Sequence, residues 1–509
     1  MADVDHSLYV HKINAKIVVI TMHVDYLIIG GDALKDVEHV KALLCKQFDM
    51  KDLGELHCFL GIEMIRNEGG IWLLQKKYGL DMLMSYGMAD CNPIFTSLDQ
   101  NLKLRIDEGE VLDDATMYCR IVGSLIYMTI SWPNLRYAVG LVIMPNDQGQ
   151  ELPKLALIGS GLFARGQYVP RLREVQNLVS LSTVWSRTEE AAKSFLPLVK
   201  DFALSVEARW GVEGLQSIFQ DKSIQCVVVV VAAQAQVEIT LQALRAGKHV
   251  LQEKPASSSV SEAIKALSIH ASLNGVKNAG PIWAVAENYR FEPGLAEAAR
   301  VVKEEIGEMM NVEVIAEAPM NKENPYFSTA WRQEFYGGFT LDMGVHFVAA
   351  LRMVVGSDVH SLAALSQHIV KTLPPPDNIS VLLKLENGCI GVFVMSMSAT
   401  SRKMIWRVVG SKGTMQVERG VQDGQHGYLV TVYPSVPSPR SSFYPFSGVH
   451  EELTAFAEDV ANVSFKGMAA SRADKRSSPL EGARDVAVIE AILKSSSENG
   501  AWVNVPPIP

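Results

Sequence analysis

The stretch Leu155-Ala156-Leu157-Ile158-Gly159-Ser160-Gly161-Leu162-Phe163-Ala164 restricts this chain more than any other. An apolar run ends in a G-x-G-x-x-A turn, which works only with a buried strand before it and a helix after it. Gly159 permits the tight turn, Gly161 lets the backbone approach a pyrophosphate, and Ala164 keeps the helix close to the strand. The N–H groups and positive dipole at the helix start then face the phosphates. Gly159, Gly161, Leu162 and Phe163 are therefore assigned to a dinucleotide site. The glycines alone also fit an ordinary strand–turn–helix junction. The motif lies at residue 159 of 509, deep in the chain, so a separate segment precedes its domain.

Strand and helix patterns alternate after the motif. A helix is expected near 162–175, a strand at 179–185 and a helix at 188–201. A helix near 212–220 and a valine-rich strand at 224–231 follow, then a helix at 235–246 closed by Gly247 and a strand at 249–252. This is the pattern of a right-handed, doubly wound parallel sheet. Beyond about residue 280 the runs "NVEVIAEAP", "NISVLLKLENGCIGVFVMSMSAT" and "KMIWRVVGSKGTMQVER" read as long strands joined by turns. They predict an α+β domain with an open, mostly antiparallel sheet, closed by helices near 449–463 and 480–495. The polar, turn-rich seam "MPNDQGQELP" at 144–153 contains Met144, a candidate start. The expected domains are 1–143, 144–279 and 280–509.

The formal net charge of −9 argues against a broad nucleic-acid footprint. The six cysteines form no C-x-x-C pair, so neither a metal site nor a disulfide framework is signalled, and free thiols in a reducing compartment are expected. The longest apolar run, residues 224–233, is too short to span a bilayer, and the N-terminus lacks a signal pattern. The expectation is a cytoplasmic protein with a small-molecule substrate, no nucleic acid and no membrane.

The strand after the fingerprint usually ends in an acid that binds the ribose hydroxyls of NAD. Here it ends in Ser186-Arg187, which suits a 2′-phosphate, so NADP is favoured over NAD. A solvated arginine at a helix start is the alternative. Glu253-Lys254-Pro255 follows a strand end, the edge of a parallel sheet where ligands bind. In "YGGFTLDMGVHFVAALR", Asp342 and His346 are i and i+4 and share a helix face. A carboxylate beside an imidazole orients it and raises its basicity, as a general base requires. The pair also fits a structural hydrogen bond. Gly337 and Gly338 would allow a close backbone approach to a ligand.

The fingerprint, "AGKHVLQEKP", "AENYRFEP", "WRQEFYGGFTLDMGVHFVAALR" and "GSKGTMQV" occur in that order. Residues 152–500 thereby resemble the glucose–fructose oxidoreductase / inositol dehydrogenase (Gfo/Idh/MocA) family. The resemblance implies a Rossmann domain followed by a C-terminal α/β domain whose open sheet often mediates homo-oligomerisation. It implies an NAD(P)-dependent oxidoreductase acting on a sugar, cyclitol or related hydroxyl or carbonyl compound. It maps the catalytic roles onto Lys254, Asp342 and His346: His346, assisted by Asp342, would take the hydroxyl proton, and Lys254 would hold the oxygen. Glu253 and Pro255 join Ser186 and Arg187 at the cofactor, and Tyr289, Arg290, Trp331 and Arg332 border the pocket. The family's Pro-Asn…His pattern is replaced by Ala232, Ala233 and Gln236, and a further family aspartate is Ala349. These departures leave room for a non-catalytic dinucleotide-binding regulator of the same fold.

Upstream, "MKDLGELHCFLGIEM", "YGLDMLMSYGMADCNPIFTSLDQNLKL" and "DDATMYCRIVGSLIYMTISWPNLRYAVGLV" resemble the reverse transcriptase of copia-type retrotransposons over residues 5–142. That family carries two metal-binding aspartates in a turn between strands. Here the turn reads His23-Val24-Asp25-Tyr26, and tyrosine cannot replace a hard anionic ligand. A partial, inactive α+β fragment with exposed sheet edges is expected.

Overall fold

The computed structural model describes residues 8–13, 16–23, 26–48, 50–59, 61–67, 70–88, 91, 116–129, 152–274, 280–327, 329, 332–333, 337–434 and 438–509. The chain divides into two compact units, Met1–Gly149 and Gln150–Pro509. Met144 lies outside the described residues.

In the first unit, β1 (Leu8–Ile13), β2 (Lys16–His23) and β3 (Tyr26–Gly31) form an antiparallel meander. His23 pairs with Tyr26, so the expected hairpin forms and the tyrosine heads β3. Val24 and Asp25 lie outside the described residues. The helix Leu34–Gln47 has no buried residue. A second meander, β4 (Cys58–Phe59), β5 (Ile62–Asn67) and β6 (Gly70–Leu74), leads into the helix Lys76–Ser85. A further helix spans Thr116–Met128. Among the described residues of this unit, the buried hydrophobic side chains are Val18 and Met128, while Leu34, Leu53 and Trp72 stand in the open. Small sheets with one uncovered face have little apolar burial to offset chain entropy.

The second unit holds two sheets. β7 (Lys154–Ile158), β8 (Ser180–Ser186), β9 (Glu207–Trp210), β10 (Cys226–Val229), β11 (His249–Glu253) and β12 (Trp283–Ala286) run parallel. Their spatial order is β12-β11-β10-β7-β8-β9, the doubly wound arrangement. Strand residues alternate between two cores. Leu155, Leu157, Val228 and Leu251 enter one, and Ala156, Ile158, Val227 and Val229 the other. The second core is covered by residues from the helices Gly211–Gln220 and Ala233–Arg245. β9 was not expected from sequence: the polar segment Glu-Ala-Arg-Trp has no apolar run and is tolerated because it forms the sheet edge. The expected 188–201 helix is split into Glu189–Lys193 and Leu196–Val199, with Pro197 opening the second piece.

β13 (Met309–Glu317), β14 (Val359–Gln367), β15 (Asn378–Leu385), β16 (Ile390–Ser396), β17 (Lys403–Gly410), β18 (Gly413–Gln422), β19 (Gln425–Pro434), β20 (Arg440–Pro445) and β21 (Val503–Asn504) form the second sheet. Its ladders are antiparallel except for β13–β16. One face packs on the helices Pro293–Glu304, Gly338–Val355 and Pro479–Ser497. The sheet also carries exposed Leu365, Leu382 and Ile390. The helix Gly448–Lys466, assigned by sequence to the C-terminal domain, sends Leu453, Phe456, Ala457 and Val460 into the core of the parallel sheet. The chain thus returns to cover its own dinucleotide fold, and a boundary near residue 280 does not separate the two cores.

Limited proteolysis of the full chain is expected to degrade the first unit before the second, leaving a resistant fragment spanning Gln150–Pro509. Cleavage of both units at equal rates, read by mass spectrometry of the fragments, would contradict this account of their burial.

Candidate active site

The strand order reverses between β7 and β10, which opens a crevice at their C-terminal ends. Gly159 sits there with φ +120°, and a Cβ on it would lie 2.0 Å from the Val230 carbonyl oxygen. Its N–H donates to the Trp185 carbonyl at 2.9 Å, and the Val230 N–H donates to that of Ile158 at 2.8 Å. Three strand ends are thereby laced together by a residue that must be glycine. Gly161 is exposed, and a Cβ there would meet nothing within 4 Å. This is the unobstructed backbone that an approaching pyrophosphate requires, so the turn fits a dinucleotide. Leu162 is exposed and Phe163 half-buried beside Tyr168.

The helix that follows contains a wide π turn, Ala164–Tyr168, before the α-helix Val169–Glu174. Pro170 lacks the N–H that would bond the Gly166 carbonyl, so a regular α turn is broken there. At the end of β8 the Ser160 hydroxyl donates to Ser186 Oγ at 3.0 Å. Arg187 is exposed and makes no hydrogen bond or ion pair among the described residues. Thr188 caps the next helix, and Glu189 and Glu190 occupy its first turn.

Lys254 follows β11 directly and reaches the helix Gly338–Val355. Its Nζ donates to both the carbonyl oxygen and Oδ1 of Asp342, each at 2.8 Å. Arg332 closes the other side, with Nε donating to Asp342 Oδ2 at 2.7 Å. Burial alone would raise the Asp342 carboxyl, but the Lys254 ammonium and Arg332 guanidinium outweigh it and hold the group well below the usual carboxylate range. Asp342 is therefore an anion clamped by two cations.

The expected Asp342–His346 hydrogen bond is not formed. The two residues share a helix face, but the Asp342 oxygens are taken by Lys254 and Arg332. His346 Nδ1 instead lies 2.5 Å from Oε1 of Glu287, which follows β12. The His346 ring stacks on Tyr289 with centroids 4.6 Å apart and planes 17° from parallel. Glu287 is buried, which by itself would raise its carboxyl, yet the charges of His346, Arg290 and Lys254 bring it below its ordinary value. Glu287, within "AENYRFEP", was not among the expected site residues; its charge beside a strand of apolar residues was the available signal.

Other expected site residues lie elsewhere. Arg290 is buried and donates to both carboxylate oxygens of Asp485, at 2.8 and 2.6 Å. Asp485 also accepts from Arg352, so Arg290 belongs to a buried ion network. Tyr289 is present, but as the platform beneath His346. Trp331 lies outside the described residues. Gly338 makes a close approach, but to protein: a Cβ on it would be 2.2 Å from the Arg332 carbonyl oxygen. Gln236 is buried and donates to the Val231 carbonyl at 3.0 Å. Pro255 is buried too, its carbonyl held by the buried Gln252 amide at 3.2 Å.

Glu253 is buried, and its Oε1 accepts the Tyr168 hydroxyl at 2.7 Å. Burial pushes its carboxyl up to about 7, against the smaller opposing effects of Lys254 and Tyr168. The folded chain therefore keeps a proton that the unfolded chain releases near the ordinary value of 4.5. Stability should fall as pH rises through that window and level off above about 7. Glu253→Gln, which preserves an acceptor for Tyr168, should flatten the decline of Tm with pH and give a higher Tm than the parent at pH 8. Glu292, also raised to about 7 by burial, retains part of the slope. Parallel Tm–pH curves for parent and variant would show that Glu253 is not the group responsible.

Comparison with known proteins agrees with this geometry. Residues 154–277 match the oxidoreductase family, NAD-binding Rossmann fold, and residues 296–416 match the GFO/IDH/MocA C-terminal domain. Dehydrogenase FPY6 of Fusarium mangiferae is 31% identical over 366 residues, covering 68% of this chain and 97% of that protein. The crystal structure of an inositol dehydrogenase homologue from Azotobacter vinelandii, complexed with NADH and myo-inositol, superposes with a TM-score of 0.58. It is 19% identical and covers 70% of this chain and 98% of its own, a likeness of fold. Residues 1–100 match the reverse transcriptase (RNA-dependent DNA polymerase) family. The Pol polyprotein of transposon RE2 from Arabidopsis thaliana is 36% identical over 147 residues, 28% of this chain but 10% of that polyprotein. A parallel dinucleotide fold, a clamped lysine–aspartate pair and these matches together place the chain in the Gfo/Idh/MocA oxidoreductase family, with a retrotransposon reverse-transcriptase fragment ahead of it.

Proposed function

We propose that the second unit is a dehydrogenase that moves a hydride between a nicotinamide cofactor, preferentially NADP, and a CH–OH carbon of a sugar, cyclitol or related compound. The observation that carries this reading is Lys254. An ammonium has three N–H donors. Two are fixed on Asp342, which leaves one aimed from a rigid base for a substrate oxygen. When bound, the nicotinamide supplies the hydride chemistry. Asp342, bound on both sides by cations, acts as an anchor for Lys254 rather than as a base. His346 is the group suited to take the hydroxyl proton.

Preference for NADP is supported by the acid-free end of β8, where Ser186 and the exposed Arg187 stand in place of a carboxylate. An acid there would repel a 2′-phosphate, and an arginine attracts it. No polymerase chemistry is proposed for the first unit, because Tyr26 occupies the position of the second metal aspartate.

Two measurements test the proposal. Screening aldoses, cyclitols and anhydrosugars with NADP+ should produce reduced cofactor by absorbance. Lys254→Ala should then lower turnover by roughly 10²–10⁴-fold while NADPH binding, followed by fluorescence, stays within about threefold. Cofactor binding with no turnover across the panel would instead favour a regulatory dinucleotide binder. Arg187→Glu should weaken NADPH binding by about tenfold or more, the worth of one good charge contact, and leave NADH binding little changed. Tighter binding of NADH than NADPH by the parent chain would reverse the cofactor assignment.

A further inference from the structure

We propose that Glu287 is the positioning residue for proton transfer: it orients His346, fixes which ring nitrogen reacts, and so completes a Glu287–His346 pair separate from the Lys254–Asp342 pair. The inference rests on the dehydrogenase reading above but assigns a role that the Asp342–His346 pattern had concealed.

The placement follows from sheet register. β11 and β12 pair in parallel, with Glu253 opposite Ala286. The next residues, Lys254 and Glu287, therefore leave neighbouring strands at the same edge. The helix Gly338–Val355 offers them two side chains one turn apart: Asp342 receives Lys254 and His346 receives Glu287. One helix face is thus docked on two strand ends, by the Lys254–Asp342 ion pair and by the hydrogen bond between Glu287 and the His346 ring.

The contact also fixes the chemistry of the ring. An ionised carboxylate only accepts hydrogen bonds. Glu287 Oε1 already accepts the Tyr289 N–H at 3.2 Å, and it accepts from His346 Nδ1 at 2.5 Å. The Glu287 side chain is 4% exposed, so little water competes for it. Nδ1 must then carry the hydrogen, and in the neutral ring the lone pair lies on Nε2. Nε2 has no partner among the described residues. The Tyr289 ring, stacked at 4.6 Å, holds the imidazole plane.

In the oxidising direction, with a bound nicotinamide available to take the C–H electron pair as hydride, the substrate O–H bond would break and its proton would go to His346 Nε2. The substrate becomes a carbonyl compound and His346 an imidazolium. Glu287 takes no proton; its negative charge offsets the imidazolium in a site where burial strengthens the interaction. In the reducing direction Nε2–H returns the proton. Lys254, Arg290, Glu253, Glu452 and Tyr289 are among the other charged or titratable groups coupled to Glu287.

The test uses the full chain labelled with ¹⁵N-histidine, with the His346 signals assigned by their loss in His346→Gln. The neutral ring of the parent should show protonated Nδ1 and unprotonated Nε2. Glu287→Ala should release it to a mixture or to the opposite tautomer, whereas Asp342→Asn should leave it unchanged. Glu287→Gln keeps the shape and should also yield a mixture, since its amide can either donate or accept. With a substrate found in the screen, Glu287→Gln should lower kcat at least about tenfold with KM within about threefold. An Nε2–H tautomer in the parent, or an unchanged tautomer in both Glu287 variants, would overturn the proposal. Correct tautomers without any cofactor-dependent turnover would overturn the dehydrogenase reading and leave the Glu287–His346 pair standing.

Discussion

Where the chain passes from Arg332 into the helix Gly338–Val355, a methyl group on Gly338 would sit 2.2 Å from the Arg332 carbonyl oxygen. Glycine removes that clash and lets the Arg332 backbone lie against the helix start. Gly337 assists with φ +71°, a conformation that favours glycine. The Arg332 guanidinium meets Asp342, one turn into the helix, and the same carboxylate receives Lys254 from the parallel sheet. The place of the Asp342 carboxylate between two cations follows from this junction, and His346 stands one turn further along the same helix. The helix is buried along nearly its whole length, so its apolar composition reflects a core position between layers.

Charges buried at such a place must be paired, because an unpaired one loses its hydration with nothing in return. The second unit solves this in three adjoining clusters. Asp342 is held by Lys254 and Arg332, Glu287 by His346, and Asp485 by Arg290 and Arg352. The third cluster fixes the segment after β12 to the helices Gly338–Val355 and Pro479–Ser497. The outcome is a rigid mounting for two functional groups, which is what hydride transfer demands of a protein. The departures from the family pattern at Ala232, Gln236 and Ala349 leave these clusters intact.

Much of this architecture was legible in the sequence. The fingerprint at 159–164, the valine-rich β10 and the strand ending at Glu253 set the parallel sheet, because each is a local pattern of apolar spacing and turn residues. The long strands β13, β15, β16, β17 and β18 were visible for the same reason, whereas β14 was not expected. β9 was not, since an edge strand needs no apolar run. The interrupted helix at 188–201 and the π turn at 164–168 follow from Pro197 and Pro170, which lack the N–H that a continuous α-helix would use. The packing of the helix Gly448–Lys466 on the parallel sheet could not be read locally, since an amphipathic helix does not specify which core receives it.

Local patterns in the chain were enough for the dinucleotide turn, for a lysine, an aspartate and a histidine fit for oxidoreductase chemistry, and for a tyrosine at position 26 where the resembled polymerases carry an aspartate. Which of the three groups are partners was settled by packing. Helical spacing put Asp342 and His346 on one face, and that pattern suggested a pair. In the fold, Asp342 bonds Lys254 across 88 residues of chain and His346 bonds Glu287 across 59. Periodicity encodes the face on which a side chain stands. The identity of what meets that face is set by strand order, register and the close passage at Gly338, which are properties of the packed layers and not of any short stretch of sequence.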